Sequence, residues 1–161
     1  MTTDLQDGLP GVSQLDPVNK AMLPVMRHFL NAFLQPKTLG WRPALTVAIG
    51  TWGESRGLAI AYSMQAFISA VLRARPAPVT YKDPLDTLAR GGLTSDEVDL
   101  MALIASMRAD RTGAARDIIA RLTDGKIDTA IVRSGLELSS LLGNEDTRPK
   151  QPFRPKLRAV S

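Results

Sequence analysis

The residues of this chain whose types and spacing best suit chemistry lie between Leu45 and Gly57. An aliphatic and β-branched run, Leu45-Thr46-Val47-Ala48-Ile49, leads into Gly50-Thr51-Trp52-Gly53-Glu54-Ser55-Arg56-Gly57 and then a long apolar segment. A strand, a glycine-rich turn and a helix form the layout in which backbone N–H groups at a helix N-terminus receive a phosphate. In that layout Trp52, Glu54 and Arg56 are the candidate pocket residues, one aromatic ring beside two opposite charges.

The glycine spacing G-x-x-G-x-x-x-G loosely resembles that of short-chain dehydrogenases. The resemblance would imply a doubly wound sheet, an acidic residue at the end of a second strand to hold a ribose, and a Tyr-x-x-x-Lys pair. The sequence has no convincing second strand, no such acid and no Tyr-x-x-x-Lys, so no cofactor is expected. The competing reading is helical. At about 100° per residue, Gly50, Gly53, Gly57 and Ala61 fall in one narrow arc of a continuous helix. Such a small-residue stripe admits a second backbone closely, within the fold or across a homodimer. Three glycines weaken a helix by about 1 kcal/mol each, so two helices meeting at a corner near Gly53–Gly57 are the other helical form.

Other candidates are weaker. His28 is the sole histidine, which excludes a multi-histidine metal site, and it is expected on the polar side of its helix beside Arg27. Asp96, Glu97 and Asp99 have the composition of a metal loop, but at a helix start the macrodipole explains their charge. Ala114 to Leu142 has the outline of a helix-turn-helix. Its candidate recognition helix offers Arg133 opposed by Glu137, fewer basic or amide groups than base readout needs. With no cysteine, thiolate catalysis, disulfides and Cys-ligated metals are excluded. No enzyme and no metal site is expected.

The remaining candidate is the C-terminal tail. Arg148, Lys150, Arg154, Lys156 and Arg158 alternate with prolines and Phe153, a pattern that stays extended and suits an acidic surface or a nucleic-acid backbone. The net charge of +4 is unevenly spread. Residues 1–76 hold 7 Lys/Arg and 4 Asp/Glu, residues 77–144 hold 8 and 10, and residues 145–161 hold 5 and 2. A uniform basic face is not expected.

The elements that must position these residues read as helices. Hydrophobic residues make up 44% of the 161 and aromatics 5%, a composition that favours an all-α core. Residues 1–14 are a polar leader, unlike a secretory signal. Residues 15–75 form an apolar lobe. Asp16-Pro17 opens a helix carrying Met22, Val25, Met26, Phe29, Leu30 and Phe33, in which Pro24 marks a kink or the true start. Gly57 to Leu72 holds no charge, and Ile60, Met64, Phe67 and Val71 make one stripe, so a central core helix is expected. The uncharged run is shorter than a comfortable membrane span, so no membrane association is expected.

Residues 76–92 are a Pro/Gly linker, in which Asp83 is expected to cap a short helical turn. Residues 93–143 form a three-helix unit. Its helices open at the Thr94/Glu97 capping box, near Thr112 and at Asp128, and stop at Gly125 and Gly143. The buried positions expected there include Val98, Met101, Ile104, Met107, Ala115, Ile118, Ile119, Leu122, Ile131, Val132, Leu136, Leu138, Leu141 and Leu142. Residues 144–161 are the tail. The sum is an all-α bundle of five to six helices. Its expected role is a cytoplasmic, non-enzymatic interaction protein, with a protein partner or a second copy favoured. The alternatives are a nucleic-acid-associated regulator using the tail and C-terminal helices, and a ligand-binding domain or enzyme with a pocket at the Gly50–Gly57 corner.

Overall fold

The computed structural model describes residues 9–143, and every regular element among them is helical. Six α-helices follow in order: α1 Pro17–Leu34, α2 Trp41–Trp52, α3 Glu54–Ala74, α4 Ser95–Arg108, α5 Thr112–Thr123 and α6 Thr129–Leu142. Short 3-10 turns at Val12–Gln14 and Pro36–Thr38 precede α1 and α2. Leu45 to Gly57 is therefore not a strand and turn. Both sides of Gly53 are helical, and Gly53 itself, at φ 85° and ψ 167°, takes a conformation that is strained for any residue with a Cβ. That residue separates α2 from α3, so the small residues do not share one continuous helix.

Helix α1 begins where its cap predicts. The Asp16 carboxylate accepts from the Asn19 N–H at 2.8 Å, and Pro17 occupies the first helical position. Pro24 does not mark the start, because α1 runs through it for a further ten residues. Proline there removes one main-chain hydrogen bond. Met22, Leu23, Val25 and Met26, each at most 1% exposed, bury the surrounding turn and offset the loss.

Helix α3 is the centre. Ile60, Met64, Phe67 and Val71 are buried, and the helix lies lengthwise on both α2 and α6 while also touching α1. Its approach to α2 requires Gly57, since a Cβ there would sit 2.5 Å from the Ala48 carbonyl oxygen. Helix α6 meets the core through Ile131, Ser134, Gly135, Leu138, Ser139 and Leu142. A Cβ on Gly135 would come within 2.6 Å of the Met107 sulfur. Because these small residues bring α6 close to α4, the inner face is rotated from the one expected. Leu136 and Leu141, predicted to be buried, are 50% and 36% exposed.

Residues 75–94 have no helix, yet they are tied down by polar side chains. Asp83 caps a turn, as expected, accepting from the Leu85 N–H, and Asp86 caps the next, accepting from the Leu88 and Ala89 N–H groups. The Asp96 carboxylate receives Arg75 at 2.9 Å and the Thr80 N–H and hydroxyl at 2.7 and 2.8 Å. Deeper in, Arg27 of α1 meets Glu97 of α4. Nε donates to Oε1 at 2.8 Å and Nη2 to Oε2 at 3.1 Å. Glu97 also accepts from the Lys82 and Thr94 N–H groups, while Arg27 donates to the Arg90 and Gly92 carbonyls at 2.7 and 2.6 Å. Arg27 is thus buried, not on a polar face as its neighbourhood in the sequence suggested.

Removing one member strands the other charge, so Glu97→Ala is expected to lower the unfolding free energy by about 3–5 kcal/mol in urea titrations. Arg27→Met/Glu97→Met should recover much of that loss. The glycines should also separate. Gly57→Ala is expected to destabilise by about 1–3 kcal/mol through collision with the α2 backbone. Gly50→Ala, on an exposed helical position with open space around it, should stabilise by about 0.5–1 kcal/mol.

Candidate interaction groove

Helices α5 and α6 each rest on α4 and make little contact with one another. Between them a groove of about 610 Å³ runs over the C-terminal turn of α4. From α5 it is lined by Thr112, Ala115, Arg116 and Ile119, and from α6 by Thr129, Val132, Arg133 and Leu136. Both sets follow the i, i+3, i+4, i+7 spacing of one helix face. Each bank is therefore about two turns long, on the order of 10 Å at ~1.5 Å per residue. Met107, Ala115 and Ile119 form a buried floor, and the exposed Ile127 and Leu136 stand as walls.

Three arginines surround this apolar surface. Arg111 precedes α5, Arg116 is on α5 and Arg133 is on α6; all three are exposed. None makes an ion pair among the described residues, where the pairs are Arg27–Glu97, Arg75–Asp96 and Arg121–Asp99. Among the described residues Asp110 is the one acidic residue lining the groove, so its rim is positive although the surrounding 77–144 region is net acidic. Sequence reasoning missed the groove because Leu136 and Val132 were assigned to the core. The available signal was the excess of apolar positions on α6, more than one buried face holds.

The residues singled out from the sequence fall elsewhere. Trp52 and Arg56 line a separate cavity of about 350 Å³ with Pro17, Val18, Ala21, Thr51 and Leu142. Glu54 is exposed and does not line it. Arg56 donates to the Leu141 and Leu142 carbonyls at 3.2 Å, and Arg108 to the Gly143 carbonyl at 2.8 Å, so two cations hold the C-terminus of α6. Of the small residues, Gly57 packs on the α2 backbone and Ala61 is buried, while Gly50 faces open space. The tail residues Arg148, Lys150, Phe153, Arg154, Lys156 and Arg158 lie outside the described residues.

Helix α3 is the one described helix long and apolar enough to cross a membrane, and half of its most apolar stretch is buried inside the bundle. A further apolar hollow, lined by Phe29, Leu45, Leu58, Ala61, Tyr62 and Gln65, has no charged residue around it. Asp96, Glu97 and Asp99 do not converge on a metal position. Asp96 and Glu97 are consumed by Arg75 and Arg27, and Asp99 pairs with Arg121 at 2.9 Å. Among the described residues no group of three acidic or histidine side chains is placed to hold a metal ion. No protein family, curated protein or solved structure matches this chain.

His28 is partly buried rather than on an open polar face, and its Nδ1 has no hydrogen-bond partner among the described residues. Burial holds its pKa below the ordinary 6.5, while nearby Asp83 acts in the opposite sense. The unfolded chain therefore takes up this proton first as pH falls. Stability from His28 is present above pH 6.5 and is lost as pH drops through the lowered folded-state value. Urea unfolding between pH 7.5 and 5 is expected to show a decline in stability that is smaller in His28→Gln. Equal slopes for the two proteins would refute this assignment.

Proposed function

We propose that this chain is a non-enzymatic helical interaction module of the cytoplasm, an adaptor, regulatory factor or small assembly subunit. It would engage a protein partner through the groove between α5 and α6. The observation that carries this reading is that two adjacent helices turn apolar side chains, Ala115 and Ile119 from one and Val132 and Leu136 from the other, to a common channel. A hydrophobic surface of this kind is favourable to cover, at roughly 25 cal/mol per Å² of apolar area removed from water. The apolar lining also argues for protein rather than nucleic acid at this site. Phosphate and base contacts call for many donors, and here the lining surface is mostly apolar.

A photo-crosslinking residue at Leu136 of the full chain in its native host tests the reading. A discrete protein adduct is expected at Leu136 and none from the same residue at Thr46, an exposed position on α2. Ile127→Ser should weaken the adduct while leaving the far-ultraviolet circular dichroism unchanged. No adduct, or the same adducts at both positions, would overturn it.

A further inference from the structure

The groove's charge and shape specify the partner further, an inference that rests on the interaction reading above. We infer that its occupant is an amphipathic helix of another protein, carrying apolar anchors on one face and Asp or Glu on both flanks.

The shape argument comes first. Helices α5 and α6 both pack on α4, and the channel between them runs along two turns of each with Met107 of α4 at its floor. Two turns of groove match a helix presenting residues at i, i+3 or i+4, and i+7. Leu136 and Ile127 are then the contacts at the channel's walls, and Ile119 and Ala115 its floor.

The charge argument fixes the flanks. Arg116 and Arg133 stand on opposite banks, and Arg111 lies more than a turn of chain before Arg116. Asp110 offsets one of these three charges. Asp117 and Glu137, the nearest acids on α5 and α6, are exposed and do not line the groove. An arginine on each bank, with Arg111 beyond the start of α5, matches separate carboxylates on the two flanks of a helix. It suits less well a fatty acid, whose apolar chain would enter the floor but whose single head group can answer only one edge. Acidic flanks would also speed encounter and exclude basic helices.

A phage-displayed library of 16-residue helical peptides, with Leu at i, i+4 and i+7 and randomised flanking positions, tests this against the full chain at low salt. The expected outcome is enrichment of Asp and Glu at the flanks. Selected peptides should lose roughly tenfold or more in affinity against Arg116→Glu/Arg133→Glu, less at high salt, and should fail against Leu136→Glu. Binders that depend on Leu136 but carry neutral or basic flanks would overturn the acidic partner and leave the groove in use. Finding no Leu136-dependent peptide would overturn the inference, as would saturable binding of dodecanoate alone. The crosslinking result then decides separately whether any protein uses the groove.

Discussion

The buried Arg27–Glu97 pair is the constraint on which the rest of the fold depends. A guanidinium and a carboxylate removed from water are tolerable only when nearly every donor and acceptor is used. Here four donors reach Glu97, and Arg27 also donates to two main-chain carbonyls. Those partners come from α1, from Lys82, from Arg90 and Gly92, and from the first turn of α4. Satisfying one ion pair therefore brings three distant stretches of sequence together. It explains how residues 75–94, without regular secondary structure, still have a defined path.

The neighbouring polar contacts extend the same logic. Asp96 draws Arg75 and Thr80 to the start of α4, and buried Asn31 accepts from Tyr81 at 2.6 Å and donates to Asp83 at 3.2 Å. With α4 anchored at its N-terminus, its other end receives α5 and α6. Gly135 and the serines beside it let α6 approach α4 closely, and the larger Leu136 is turned outward. The groove follows from this. A seam of small residues inside forces large ones out, and α5 and α6 part because each packs on α4.

The helical elements were legible in the chain because their signals are local. Asp16, Thr94 and Asp128 cap α1, α4 and α6 through their own first-turn N–H groups, and Gly143 ends α6 at φ 75°. The apolar stripe of α3 was equally plain, since Ile60, Met64, Phe67 and Val71 repeat at helical spacing with no charge between them. Leu45 to Gly57 was ambiguous for a local reason as well. Aliphatic, β-branched residues suit either period, and the choice fell to burial of Ala44 and Ala48 against neighbouring helices.

Sequence alone determined the helical class, the caps and stops, the absence of thiol chemistry and the central place of α3. Each of these depends on residues within a few positions of one another. Tertiary structure decided which face each helix turns inward. It put Arg27 beside Glu97, 70 positions away, converting a helix-start carboxylate into the clamp of the fold. It separated Gly57 from Gly50, which spacing had grouped, by giving only one of them a backbone to touch. It also put Leu136 and three arginines, none in an ion pair among the described residues, around a common channel. A groove between two helices is a relation among elements, and the chain's periodicity records only each helix's own faces.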